Sequence, residues 1–463
     1  MMTKVFKEVT TLDKKCYEQY HLSEDLLMEH AALGLKSHLP LGGKKILIVA
    51  GTGNNGADGI ALARLICTYH DTVLYLPYGV KSHMAKVQLQ RAKAVGVKII
   101  EELEDAYDVV VDALFGAGLS RALDKKSQEL LMILNEMDAY KLSCDIPSGL
   151  NLDGDVAIEA FIADKTVTMG AYKEALFSDK AKDFVGEIIC VDLGVGASLY
   201  ENESNTYLLE KSDMKLPHRL LQNTHKGHFG HLSVIAGEKQ GAGVLAAKAA
   251  LAFGAGLVTV VENEPYAIPY ELMSSSSHPE STTAICIGMG LGNSYDDEYL
   301  AQFLMHHDKP MLIDADLFYE PIMIEVLKRK ELILTPHPKE FVALLKLTNI
   351  GDITVEELQK RRFFYAREFS QKYPDMVLLL KGANSLIAHK NKIYIQTFGS
   401  SVLSKGGSGD VLSGLIASLL AQGYEPLQAA ITGSLAHAFS SKNFTKNSYA
   451  LTPEDLIEGA KCL

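Results

Sequence analysis

The sequence predicts an α/β protein of two domains, each a mainly parallel sheet covered by helices on both faces. Three observations lead there. Short apolar runs alternate with helical stretches through both halves, the mark of βα units stacked into a parallel sheet. At 463 residues the chain is too long for a single core. The alternation lapses once, in the polar stretch 195–224 around Glu201-Asn202-Glu203-Ser204-Asn205. That lapse sets a boundary near 211 and divides the chain into domains 1–211 and 212–463.

In order, residues 3–39 read as helical, with apolar Leu12, Cys16, Leu26, Leu27 and Ala31 and an N-cap at Ser23. Strand 46–50 feeds the glycine turn Gly51-Thr52-Gly53-Asn54-Asn55-Gly56-Ala57-Asp58-Gly59, and helix 60–68 follows. Strand 73–77, helix 82–95, strands 97–100 and 109–113, helix 127–137 and strands 142–146, 166–169 and 188–193 complete the first half. The second half restarts with strand 231–236 and an alanine-rich helix, 244–253. Strands 257–261, 284–288, 311–315 and 332–335 follow, with helices 297–306 and 354–370. Strand 377–381, a hairpin of 385–388 and 393–397 around Lys390-Asn391-Lys392, and helices 409–422 and 426–440 end the chain. No internal repeat relates the halves. In such sheets crossovers are right-handed and ligands lie outside the carboxyl ends of the strands.

Composition excludes several classes. A net charge of −12 and a pI near 5.7 argue against a nucleic-acid surface. Anionic ligands must then be held by backbone N–H groups and single lysines. Cys16, Cys67, Cys144, Cys190, Cys286 and Cys462 form no C-x-x-C pair, so neither a disulfide framework nor a zinc site is expected. With no apolar leader and no run of about 18 apolar residues, a soluble, cytoplasmic protein without a membrane partner is expected.

Gly51-x-Gly53-x-x-Gly56 has the form of a dinucleotide fingerprint, where glycines admit a ligand and the helix start faces an anion. The acidic residue that should end the second strand is missing: that strand runs out in Leu76-Pro77-Tyr78-Gly79. An ordinary dehydrogenase is disfavoured. Asn54, Asn55 and Asp58 add polar groups that a phosphate cradle does not require. Two more strand ends reach the same edge, Val111-Asp112-Ala113-Leu114-Phe115-Gly116-Ala117-Gly118 and Ser143-Cys144-Asp145-Ile146-Pro147-Ser148-Gly149-Leu150. Each aspartate alone reads as a helix cap or turn former. Together, carboxylate, amide and hydroxyl oxygens suit a hard cation and leave a carboxylate to move a proton.

With Leu27-Met28-Glu29-x-Ala31-Ala32 ahead of them, these motifs resemble the YjeF N-terminal domain, the NAD(P)H-hydrate epimerases, over roughly residues 5–210. The resemblance implies a Rossmann-like three-layer αβα sandwich. It implies K+ held by Asn55, Asp112 and Ser148. It places the hydrated nicotinamide cofactor on Asn54, Asn55, Gly56, Ala57 and Asp58, on the loop Gly116, Ala117, Gly118, Leu119, Ser120, Arg121 and Ala122, and on Asp145, the implied acid/base. Ala57 stands where the family usually has glycine, and Asn151 where it often has aspartate.

The second glycine turn, Lys405-Gly406-Gly407-Ser408-Gly409-Asp410, precedes an apolar helix. Its N–H groups can form an anion hole, and Asp410 at the mouth can take a hydroxyl proton. Phosphoryl transfer to an alcohol needs both, although a capped helix behind a flexible loop would look similar. Lys381-Gly382-Ala383-Asn384-Ser385 adds a cation at a strand end, and Thr335-Pro336-His337-Pro338 a histidine between rigid prolines. These residues, with Lys226-Gly227-x-Phe229-Gly230 and Gly288-Met289-Gly290-Leu291-Gly292, resemble the ribokinase superfamily over roughly 215–463. More narrowly they resemble the YjeF C-terminal domain, the ADP/ATP-dependent NAD(P)H-hydrate dehydratases. The resemblance implies a ribokinase-like αβα fold, with hydrate contacts at Ala242, Gly290, Gly292, His337 and the catalytic Asp410. It places ADP, expected with Mg2+, on Lys381, Gly382, Ala383, Asn384, Ser385 and Gly409. Lys339 replaces a family glycine, and Val402-Leu403-Ser404-Lys405 an expected methionine/alanine-rich lead-in.

The two resemblances imply a fused repair enzyme, expected as a homo-oligomer. Its first domain would interconvert R- and S-NADHX and NADPHX; its second would dehydrate the S form with ADP, giving AMP and phosphate. A ribokinase-type small-molecule kinase with a regulatory N-terminal module gives no reason for the asparagine-rich turn or the Asp145–Ser148 motif. A non-enzymatic binding protein would tolerate loss of Asp145 and Asp410, and both are present. His225, His228 and His231 could suggest a metal, but the segment contains glycine and runs into a strand, so the spacing would not hold on one helical face.

Overall fold

The computed structural model describes residues 2–104, 106–116, 118, 123–156, 158–262, 267–292, 297–306, 308–442 and 444–463. The chain forms two compact units, Lys4–Ser204 and Asn205–Leu463, the latter joined by the first residues of the chain. The break precedes the expected 211 because Thr206–Leu208 is a strand, paired parallel with Ile393–Ile395. Three residues are too few to register as a period in the sequence.

In Lys4–Ser204 the described residues build a seven-stranded, wholly parallel sheet. Its order is Lys98–Ile100, Asp71–Tyr75, Lys45–Ala50, Val109–Ala113, Tyr140–Cys144, Lys165–Met169, Glu187–Val191. The strands read as unbroken apolar runs because both faces are covered. Ile46, Ile48 and Ala50 pack into one core with Leu27, Met28 and Ile60; Leu47 and Val49 enter the other with Leu130, Leu131 and Leu134. The period of two sends alternate residues to opposite faces. Strand order reverses between Lys45–Ala50 and Val109–Ala113, which opens a crevice at their carboxyl ends.

Two N-terminal expectations are corrected. Thr3–Phe6 is a strand paired with Tyr172–Lys173; helix begins at Thr10 and, capped by Ser23, again at Glu24. The helix after the first glycine turn spans Asn54–Ile66 and so absorbs the turn instead of following it. Glycine propensity argued for a later start, but the fold needs glycine inside this helix. A Cβ on Gly56 would lie 2.0 Å from Gly51 O, and one on Gly59 2.5 Å from Ala113 Cβ.

The second unit's sheet runs Met273–Ser275, Leu257–Val261, His231–Ile235, Ala284–Ile287, Met311–Ile313, Leu332–Leu334, Val377–Leu380, Ser385–His389, Lys392–Gln396, Thr206–Leu208. It is parallel as far as Val377–Leu380, then antiparallel through the hairpin. Lys390 and Asn391 take φ of 47° and 63°, the left-handed pair of a two-residue hairpin turn. Its switch point lies between His231–Ile235 and Ala284–Ile287. Helices Gln240–Ala252, Ser408–Ala421 and Pro426–Lys442 share a core with these strands. Expected helix 354–370 is two helices, Val355–Lys360 and Arg362–Lys372, and Pro338–Leu347 and Pro453–Ala460 are helices that the reading lacked. Among the described residues no helix is long and apolar enough to cross a membrane.

Candidate active sites

Three loops meet at the first switch point. Gly51 N–H donates to Ala113 O at 3.0 Å, and a Cβ there would sit 1.7 Å from Leu114 O, so the backbones touch. Ser148 N and Oγ donate to Asp112 Oδ2 and Oδ1 at 2.8 and 2.6 Å. Ser148 Oγ also accepts from Phe115 N at 2.8 Å, which ties the two loops together. Burial pushes the Asp112 carboxyl up to about 6 against the hydrogen bonds from Ser148 and Leu114. Asn55 reaches the same loop: a Cβ on Gly116 would lie 3.1 Å from its Cγ. Its Oδ1 and Nδ2 are buried without a hydrogen-bond partner among the described residues, an arrangement that costs free energy unless a ligand meets them.

Asp145 sits just past its strand with φ of 69°, a left-handed conformation rare outside glycine. Its Oδ1 accepts from Lys173 Nζ at 2.6 Å, Thr168 Oγ1 at 3.1 Å and Met169 N at 3.1 Å. Asn54 Nδ2 donates to Glu24 Oε1, and Asp13, Tyr17, Glu24, Met28, Asn54 and Asp58 line one open pocket. Burial first, and Asp145 next, hold the Asp58 carboxyl well above the usual range. Gly56 and Ala57 are buried in the helix; Ala57 joins the core and its N–H donates to Gly53 O, so alanine fits regular helix here. Asn151 Oδ1 closes a turn by accepting from Asp153 N and Asp155 N. Gly116 and Gly118 belong to the loop after Asp112. Ala117, Leu119, Ser120, Arg121 and Ala122 lie outside the described residues.

At the second switch point Gly288, Gly290 and Gly292 have φ of 114°, 59° and 60°. A Cβ on Gly290 would meet Lys239 Cβ at 2.7 Å and Ala242 Cβ at 3.1 Å, so Gly290 and Ala242 are neighbours. Gly292 N–H already donates to Asp316 Oδ2 at 3.0 Å. His337 caps Pro338–Leu347: its Nδ1 accepts from Lys339 N and Glu340 N, and its N–H donates to Glu340 Oε2 at 2.7 Å. Its Nε2 lies 3.1 Å from Glu340 Oε1, so the ring proton belongs on Nε2. Burial, then Lys381, lower the His337 pKa, while burial raises Glu340 to about 7. Lys339 enters the cap through its backbone and leaves its side chain exposed.

The second glycine turn opens helix Ser408–Ala421, with Gly407 as N-cap at φ 86°. The N–H groups of Gly409 and Asp410 have no hydrogen-bond partner among the described residues. Lys381 Nζ lies 3.7 Å from where a Cβ on Gly409 would stand, so a cation overhangs the helix start. Burial raises the Asp410 carboxyl to about 6; Asp314 adds to the shift and Lys381 opposes it. Buried Arg362 donates to Leu380 O, Lys381 O and Asn384 O, which pins the Lys381 loop. Gly382 and Ala383 are exposed on it, Asn384 is buried and Ser385 begins the next strand. Lys405 is turned to Tyr449 O at 2.8 Å. His225 and His228 stack together, while His231 is buried between Ser281 and Thr259; the three do not converge.

The sequence matches two family models, the YjeF-related protein N-terminus over residues 24–175 and NAD(P)H-hydrate dehydratase over 232–461. It is 45% identical to the bifunctional NAD(P)H-hydrate repair enzyme Nnr of Helicobacter pylori, over 100% of both chains. The chain belongs to this family. The same enzyme of Dictyoglomus turgidum is 33% identical (98% of this chain, 96% of the relative), and that of Escherichia coli 32% (84% and 79%). Its activities are therefore those of a repair isomerase and a dehydratase, the epimerase in the first unit and the dehydratase in the second. A ribokinase-type small-molecule kinase is not supported.

Sequence reasoning missed Lys173, Asp314 and Arg362. Asp314 ends a strand as Asp112 does and could have been found by the same rule. Lys173 lies on a two-residue strand and Arg362 inside a helix; nothing in the pattern separates either from a surface cation.

Proposed function

We propose that Asp145 is the acid/base that inverts the hydroxyl-bearing carbon of R- and S-NAD(P)HX, and that Asp410 starts dehydration of the S form. The hydroxyl-bearing carbon is also bonded to the ring nitrogen, so its inversion needs no redox change and only one carboxylate. Asp145 takes the hydroxyl proton as the C–N bond opens to an aldehyde and passes it to the nitrogen, and the transfer reverses as the ring recloses on the other face. In the second unit Asp410 takes the hydroxyl proton as that oxygen receives the terminal phosphoryl group of ADP, which leaves AMP. Phosphate then departs, a proton leaves the neighbouring carbon, and the reduced ring is restored. Gly409 and Asp410 N–H groups and Lys381 face the transferred group.

The observation that carries this reading is the position of Asp410, raised to about 6 beside unpaired helix-start donors. ADP would lie along Lys381, Gly382, Ala383, Asn384, Ser385 and Gly409, bringing Mg2+ with it. The hydrate would meet Ala242, Gly290 or Gly292, and His337. In the first unit the orphaned carboxamide of Asn55 fits a cation shared with Asp112 and Ser148. K+ bound there would supply positive charge beside the hydrate, which Asn54 to Asp58 and the Gly116–Ala122 loop would hold. The protein is read as a cytoplasmic homo-oligomer. Incubating it with mixed hydrates tests the proposal. Without ADP the two epimers should equilibrate and no NADH should form; with ADP both should be consumed. NADH formation without nucleotide would overturn it.

A further inference from the structure

We infer that Lys173 is a positioning residue for epimerisation, fixing Asp145 so that a single oxygen is presented to the hydrate. The inference rests on the reading of Asp145 as acid/base. Lys173 is only 1% exposed, and its ammonium donates to Asp145 Oδ1 at 2.6 Å, Thr168 Oγ1 at 2.8 Å and Met169 O at 3.1 Å. Such a buried charge survives only when paired and hydrogen-bonded. The chain is shaped to deliver it. Gly170, at φ 73°, turns the strand end back, and Tyr172–Lys173 pairs with Val5 and Phe6 to hold the lysine beneath Asp145.

The consequence falls on the two carboxylate oxygens. Oδ1 accepts from Lys173, Thr168 and Met169; Oδ2 has no donor among the described residues. Oδ2 is therefore the oxygen free to take the hydroxyl proton and return it. Around this carboxylate stand Asp58 on Asn54–Ile66, Asp13 on Thr10–Gln19, Tyr200, and the thiols of Cys144 and Cys190 on their strands, with Glu24 next to Asp58 and Asp13. Lys173 is the cation whose charge favours the ionised forms of Asp13, Asp58, Cys144 and Cys190. Removing it would leave Asp145 loose at a strained backbone position and surrounded by acidic groups.

The test compares Lys173→Met, Thr168→Val and Asp145→Asn in the full-length protein, following R-to-S conversion against pH. Lys173→Met should lower kcat about 10²-fold, the scale of a misplaced reacting group, with KM within about threefold. The acidic limb of its pH–rate profile should move to higher pH, which a merely structural role would not produce. Thr168→Val keeps the lysine and removes one Oδ1 donor; it should show a smaller loss with a shift of the same sign. Parental kcat and pH profile in Lys173→Met overturn the inference. If that variant does not fold, a parental profile in Thr168→Val does so. Full activity in Asp145→Asn is a separate result, which overturns the acid/base reading on which the inference stands.

Discussion

Lys381 Nζ donates to Asp314 Oδ1 at 2.8 Å across the carboxyl ends of two strands separated by a third. Ser413 Oγ holds the other oxygen at 2.7 Å. Asp314 is 2% exposed, so both of its oxygens are committed inside the protein. The pair sets the height of the Lys381 ammonium over Gly409, and its carboxylate is the charge that helps to raise Asp410.

Asp314→Asn should therefore act on stability and on chemistry together. Losing a buried charged acceptor should destabilise the second unit by about 1–3 kcal/mol, read by denaturant unfolding. With Asp314 neutral, Asp410 ionises more readily, so the acidic limb of dehydration should move to lower pH. A limb that stays in place would show that Asp314 does not act on Asp410.

Asp410→Asn should abolish dehydration and spare epimerisation. The amide keeps the shape of the side chain while the base is lost, so S-hydrate turnover should fall by about 10²-fold or more. In the parent, Asp410 is raised to about 6, and the proposed base acts when deprotonated. The rate should thus rise with pH through about 6 and level off above it. Turnover within a few-fold of the parent would overturn the role of Asp410.

Potassium should accelerate epimerisation, and Asn55→Ala should remove most of that response. The motive is a buried carboxamide with both polar atoms unpaired, beside the Asp112–Ser148 pair. Initial rates in K+ against a bulky organic cation decide the matter. Equal rates, with trace potassium excluded, would count against the site.

Gly51→Ala should fail structurally before it fails chemically. A Cβ 1.7 Å from Leu114 O must push the two central strands apart, for a loss of about 3 kcal/mol or more on thermal unfolding. Gly53, where a Cβ meets nothing within 4 Å, should accept alanine with far less effect.

The units should fold and work apart, because each closes its own core. A chain of residues 4–204 should still epimerise, and one of 205–463 should consume only the S hydrate. Consumption of both epimers by the second piece at the enzymatic rate would overturn the division of labour.

Much of this was legible because the governing signals are local. Strand 257–261 and helix 297–306 have the expected bounds, since apolar runs and periodicity suffice to mark them. Helix Asn54–Ile66 was begun too late because propensity counts glycine against helix, whereas strand backbones pressed against it demand glycine. Thr206–Leu208 was missed because its partner, Ile393–Ile395, is remote in sequence.

The sequence alone determined the two mainly parallel sheets, the two glycine turns, and the polar residues at the strand ends, all properties of short segments. Tertiary structure alone decided which charges meet. Lys173 reaches Asp145, and Lys381 reaches Asp314, only because turns and strand order return separate segments to one edge. Whether a lysine is a solvated surface charge or a buried counter-ion depends on its neighbours in space. No periodicity along the chain encodes that neighbourhood.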